Sequence, residues 1–196
     1  MSGFTKMSSK ISAEELVTLI HAIFTSIDYL AECMGSIWKV ETVGDCYIGV
    51  VGGPNPCEDH AHRAVVFALS ILDNVKRISA RTGVPLKMRI GVHSGSITAA
   101  FVGQMLPRYL IFGPDVEIVR QMEAAARPGV VGLTDATAKL LPKDWWALPS
   151  PAQLYRSVAN WYILHDALTS ACQYLNLSLS LPPRTKGMLR YTRIEC

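Results

Sequence analysis

One carboxylate stands out for its setting. Asp45 follows Gly44 between two β-rich runs, Ile37 to Val43 and Tyr47 to Val51, and Gly-Asp belongs to the dipeptides that favour a tight hairpin turn. A carboxylate fixed on such a tip beside apolar strands is placed to hold a hard cation such as Mg²⁺. Taken alone, a Gly-Asp pair is more often just a turn. The cluster Asp59-His60-Ala61-His62 also suggests a metal, but histidines two apart on a helix point to different sides, so capping and packing explain them better. The five cysteines, Cys33, Cys46, Cys57, Cys172 and Cys196, are odd in number and lack C-x-x-C spacing. Neither a disulfide frame nor a zinc site follows, and a reducing compartment fits.

The elements that would position Asp45 can be read from periodicity. Ser12 with Glu15 forms a capping box, and Leu16, Leu19, Ile20, Ile23, Phe24, Ile27 and Leu30 behind it recur at helical spacing. After the hairpin, Gly52-Gly53-Pro54-Asn55-Pro56 breaks the chain. Ala61, Ala64, Val65, Ala68, Leu69, Leu72 and Val75 then describe a second long helix. Leu86 to Val92 alternates as a strand, Ile97 to Val102 follows as another, Val116 to Ala126 reads as a helix ended near Pro128-Gly129, and Val130 to Leu133 is a short strand. Thr134 or Asp135 caps a last helix through Leu141. The order helix, strand, strand, helix, strand is that of an α+β, ferredoxin-like (βαββαβ) fold, an antiparallel sheet with flanking helices, lacking its opening strand. The missing strand would be a central one. Residues 1–143 form this domain. From Asp144 the composition changes to a Trp-rich helical segment over 144–183, and 184–196 stands as a short terminal piece.

Composition narrows the function classes. The chain has 196 residues, 49% hydrophobic and 18% charged, with mean hydropathy +0.22. No unbroken apolar run reaches transmembrane length, so direct membrane insertion is not expected. The apolar excess suits a buried partner interface, or faces meant for absent segments. A net charge of +3 from scattered lysines and arginines is too mild for a nucleic-acid polymer. A ferredoxin-like RNA-binding domain would also need exposed sheet aromatics in a basic face, a pattern missing here.

Three motifs in register sharpen the picture. Glu41-Thr42-Val43-Gly44-Asp45-Cys46-Tyr47, Met88-Arg89-Ile90-Gly91-Val92-His93-Ser94-Gly95 and Pro107-Arg108-Tyr109 together resemble the class III adenylyl and guanylyl cyclases in order and spacing. Gly3-Phe4-Thr5, Val116 and Met122-Glu123 extend the resemblance from Gly3 to about Leu141. It implies an active site between two cyclase domains, where two Mg²⁺ or Mn²⁺ ions activate the ribose 3′-hydroxyl of GTP or ATP for in-line attack on the α-phosphate, releasing pyrophosphate. Asp45 matches the second of two metal-bridging aspartates. Gly3, Phe4 and Thr5 match a turn whose N–H groups face the triphosphate, and Arg89 matches an arginine that pairs with phosphate oxygens. Lys186 in Thr185-Lys186-Gly187 faintly matches a terminal-hairpin lysine near the phosphates. The first metal aspartate would fall just upstream of Met1, so truncation or loss of catalysis is expected.

The departures are equally informative. Where the other half of the family site supplies an asparagine and an arginine, this chain has Glu117 and Gln121. A carboxylate there would repel the triphosphate, and a neutral amide lacks charge for the transition state. The metal-binding halves of fused mammalian-type adenylyl cyclases share these absences, together with the look of Asp59-His60-Ala61-His62 and Asp115-Val116. A metal-binding half that needs a complementary cyclase domain, in a heterodimer, is therefore the expectation. Base choice is mixed: Glu41 falls where guanylyl cyclases place a glutamate that accepts from guanine, while Leu110 stands at the second base-reading position and can do neither job. GTP is weakly favoured. The expected function is a cytoplasmic nucleotide cyclase domain in intracellular signalling, either in a soluble protein or as the cytosolic part of a membrane-bound one. The chain alone is expected to be inactive. The alternative is a catalytically degenerate cyclase-homology module that dimerises and regulates a partner.

Overall fold

The computed structural model of the chain describes residues 4–9 and 11–142. Gly3, Lys186, the Trp-rich segment and the terminal piece lie outside the described residues. Helix α1 (Phe4–Ser8) precedes α2 (Ala13–Met34), strands β1 (Ile37–Val43) and β2 (Cys46–Val51), and α3 (His60–Thr82). There follow β3 (Ile90–Val92), β4 (Thr98–Val102), β5 (Arg108–Phe112), α4 (Pro114–Ala125), β6 (Val131–Leu133) and α5 (Asp135–Ala138).

Helix α2 begins at the expected capping box. Ser12 Oγ accepts from the Glu15 amide at 3.2 Å, and the Glu15 carboxylate accepts from the Ser12 amide at 3.0 Å, so two orphan helix donors are satisfied. Its stripe Leu19, Ile23, Ile27, Leu30 and Met34 packs with Val66, Phe67, Ile71, Val75 and Ile78 of α3 in one core. Ile23, Ile27 and Ile78 are fully buried, each contributing about 2–3 kcal/mol of burial. By length and composition alone α2 is apolar enough to cross a membrane; in this fold its apolar stripe is core.

Among the described residues the strands form three separate two-stranded ribbons: β1–β2 antiparallel, β4–β5 antiparallel and β3–β6 parallel. A cavity of about 1130 Å³ lies among them. β2 lines it with every residue from Cys46 to Val51, and the β3 segment does so from Met88 to Gly95, whereas Ile97 just before β4 and Ala99 on it, then Tyr109 and Ile111 of β5, line it at alternate positions. Alternate residues mark a strand face, and unbroken runs mark a strand edge. The cavity is thus a slot along the edges of β2 and β3 that no other strand among the described residues pairs, which agrees with the expected gap in the sheet. The structure also corrects the sequence reading in detail. The strand expected over Leu86 to Val92 is confined to Ile90–Val92, where β6 supplies a partner. The turn expected at Phe4 and Thr5 is helical, and the last helix stops at Ala138.

Candidate active site

Asp45 occupies the expected hairpin tip. Val43 pairs with Cys46 across it, leaving Gly44 and Asp45 as a two-residue turn, and Gly44 takes φ +59, a left-handed conformation that glycine adopts without penalty. The hairpin is anchored through Tyr47, whose ring lies 6.1 Å from Phe24 of α2 and 6.4 Å from Phe67 of α3. Lys39 of β1 pairs with Asp28 of α2 at 2.7 Å and sits 5.3 Å over the Tyr47 ring. Burial, and then the Asp28 carboxylate, push the Tyr47 phenol well above its ordinary value.

Arg89 leads into β3 and lines the same cavity as Asp45. Its Nε donates to Glu123 Oε1 at 3.0 Å, so the arginine expected on phosphate is braced against α4. That helix lies flush on β3 because Gly91 has no side chain: a Cβ there would strike the Glu123 amide nitrogen and come within 2.9 Å of the Val119 carbonyl. His93, whose side chain is only 8% exposed, ties three elements together. Its Nε2 meets Asp115 Oδ1 at 3.0 Å, and its Nδ1 meets the Thr134 hydroxyl, the α5 cap, at 2.8 Å. Asp115 Oδ2 accepts from the Ser96 amide at 2.8 Å. These bonds, His93 first, hold the Asp115 carboxyl below the usual carboxylate range.

Asp45, Arg89, His93, Asp115, Arg120 and Glu123 all line the slot, as does Phe4. Glu41, Leu110, Glu117 and Gln121 are not among its lining residues. On α4 the lining residues are Asp115 in the first turn and then Val116, Val119, Arg120 and Glu123, a stripe at i, i+3, i+4, i+7. Glu117 and Gln121 form a neighbouring exposed pair, with Gln121 Nε2 donating to Glu117 Oε1 at 3.2 Å. Leu110 lies on β5 between the lining residues Tyr109 and Ile111, on the other face. The predicted residues therefore fall into two groups: Asp45 and Arg89 share a cavity, and the base-reading and transition-state positions lie off it.

The donor set available for a metal is narrow. Among the described residues no group of three or more His, Cys, Asp or Glu side chains could hold an ion. Glu123 and Asp115 are engaged by Arg89 and His93. Asp45 fits as a single carboxylate ligand for Mg²⁺, an ion commonly bound by one or two carboxylates with water and substrate phosphates completing its shell. Sequence reasoning named Glu123 and Asp115 within motifs without giving either a role in the site, and did not name Arg120, for which the α4 stripe was the available signal.

An α+β domain in which a hairpin-tip aspartate and a strand-end arginine line one cavity is the class that fold and site define. The family model describing the adenylate and guanylate cyclase catalytic domain matches residues 1–154. A membrane guanylyl cyclase of Dictyostelium discoideum is 31% identical over 85% of this chain and 11% of its own length. A receptor-type guanylate cyclase of Caenorhabditis elegans is 36% identical over 72% of this chain and 11% of its own. The guanylate cyclase domain of RhGC from Catenaria anguillulae, solved in complex with GTP, superposes with a TM-score of 0.69 at 34% identity, covering 72% of this chain and 78% of that one. The chain belongs to the adenylate and guanylate cyclase catalytic domain family. It spans about a tenth of the length of these two curated relatives.

Proposed function

We propose that the chain is the metal-binding half of a nucleotide cyclase site, converting GTP, or ATP less readily, to the cyclic nucleotide and pyrophosphate with a second cyclase domain. One observation carries this reading: Asp45 and Arg89 line one cavity while Glu117 and Gln121 lie off it. A site divided between two domains accounts for that separation. Asp45 holds Mg²⁺ or Mn²⁺, and Arg89, braced by Glu123, directs its remaining donors at phosphate oxygens. In the bound state the metal would lower the pKa of the ribose 3′-hydroxyl and offset phosphate charge. The turn at Gly3, Phe4 and Thr5, and Lys186, would complete the phosphate contacts. The complementary domain would supply the missing asparagine and arginine, which favours a heterodimer. Glu41 favours guanine, and the relatives named above are guanylate cyclases. A cytoplasmic site of action accords with a GTP substrate and the free thiols Cys33, Cys46 and Cys57.

The Glu117–Gln121 pair supports a second reading. With neither asparagine nor arginine at these positions, two copies of this chain would form a nucleotide-binding but non-catalytic regulatory module. Mn²⁺-dependent turnover of GTP and ATP, measured with the chain alone and mixed with a complementary cyclase domain, separates the two. Product in the mixture alone, abolished by Asp45→Ala, is expected. Metal-dependent nucleotide binding without product under either condition would replace the first reading by the second.

A further inference from the structure

We propose that Arg120 is a phosphate-binding residue of the slot, forming with Arg89 a basic wall for the polyphosphate of a metal-bound nucleotide. The inference rests on the half-site reading and adds to it a residue that neither the motifs nor the family's asparagine and arginine positions assign.

Arg120 sits one residue before Gln121. A step of one residue turns about 100° around a helix, which separates the outward Glu117–Gln121 pair from the stripe Val116, Val119, Arg120 and Glu123 that lines the slot. Arg120 lines the same cavity as Asp45, Cys46 and Arg89. Charge pairing isolates it further. The lining carboxylate Glu123 is engaged by Arg89 at 3.0 Å, and Asp115 by His93 at 3.0 Å. Among the described residues Arg120 makes no ion pair or hydrogen bond, and it is exposed to solvent. A guanidinium with five uncommitted donors, weakly hydrated and facing a cavity, matches a planar bidentate acceptor. A carboxylate alone would satisfy the fork. The combination of a cation-binding aspartate with two arginines instead fits a ligand carrying several negative charges and a metal, which is a metal–polyphosphate.

The phosphate chemistry is shared by a nucleoside triphosphate and by inorganic pyrophosphate, so both are probes. The full chain is titrated calorimetrically with Mg²⁺–GTP and with Mg²⁺–pyrophosphate at low salt, as wild type, Arg120→Gln, Arg120→Lys and Arg127→Gln. Circular dichroism establishes that each variant keeps its helices. Losing one charge-assisted contact weakens binding about tenfold or more, so R120Q should lose at least that for both ligands and show a shallower salt dependence. R120K should lose less, and R127Q, at an exposed position that does not line the slot, should match wild type. Equal affinity of R120Q and wild type, with Asp45→Asn still abolishing binding, overturns the role of Arg120 and leaves the half-site reading standing. Binding of GTP without pyrophosphate overturns phosphate recognition by this wall. No binding of either ligand to wild type overturns the basic wall, and absence of product in the mixture with a complementary domain overturns the half-site reading as well.

Discussion

Gly91→Ala tests whether the close seating of α4 on β3 organises the slot. An ideal Cβ at residue 91 collides with the Glu123 amide nitrogen and falls 2.9 Å from the Val119 carbonyl oxygen and 3.0 Å from Glu123 Cα, where ordinary contact is 3.4–4 Å. All three atoms belong to helix backbone, so no rotamer change relieves them and α4 must move as a body. Overpacking of this kind costs about 1–3 kcal/mol. With a urea slope of about 1–3 kcal/mol per molar, the unfolding midpoint should fall by about 1 M. Two comparisons calibrate the result. At Gly132 the nearest atom is the flexible Met122 Sδ at 3.0 Å, and at Gly49 it is Tyr47 Cε1 at 3.4 Å, so Gly132→Ala should cost less and Gly49→Ala least. Because α4 carries Arg120 and Glu123, G91A should also weaken metal–nucleotide binding beyond its stability loss, since displacements near 1 Å disrupt positioned groups. A G91A midpoint within about 0.2 M of wild type, or a reversed ranking of the three alanines, would refute the packing argument.

Other perturbations follow from the same contacts. Ser12→Ala removes the capping box of α2 and should cost about 1 kcal/mol in urea unfolding. Ile27→Ala opens a void in the α2–α3 core and should cost about 2–5 kcal/mol by the same assay. Asp115 has its pKa depressed in the fold by His93 and Ser96. Its contribution is therefore fully present above the unfolded carboxylate value, about pH 4, and lost as pH falls through the lower folded value. Asp115→Asn should flatten the decline of stability below about pH 4, read from urea midpoints across an acid series. Glu123→Gln removes the anionic partner of Arg89, and tighter Mg²⁺–pyrophosphate binding in calorimetry is the expected outcome.

The legible parts of the fold were those with local causes. Ser12 and Glu15 announce α2 through their own backbone bonds, and Gly44-Asp45 needs only the preferences of a two-residue turn. β5 escaped notice because Tyr109-Leu110-Ile111-Phe112 is a short unbroken apolar run, which periodicity cannot assign. The strand expected from Leu86 shortened because a strand needs a neighbour: Met88 gives its carbonyl to Gly129, and only Ile90–Val92 meets β6. The last helix dissolves after Ala138 into bonds from Leu140 to Thr137 and Leu141 to Ala138, a tighter turn that side-chain spacing does not distinguish. In the candidate site, Asp45 and Arg89 were named from their motifs, and both line the cavity. Their surroundings were not, because Arg89 meets Glu123 across 34 positions and His93 meets Asp115 across 22. Partners so far apart in sequence become visible only after chain folding.

The slot between β2 and β3 has a bearing on how the protein behaves in concentrated solution. Open strand edges are templates for another chain's backbone, and proteins ordinarily blunt them with charge, proline or a covering element. Here the edges flank apolar walls that include Ile37, Phe67, Ile71 and Ile90, so an extended apolar segment from a neighbouring molecule would find both hydrogen-bond partners and a dry surface. Crowding would then be an assembly variable, with strand pairing between copies competing against the folded single chain.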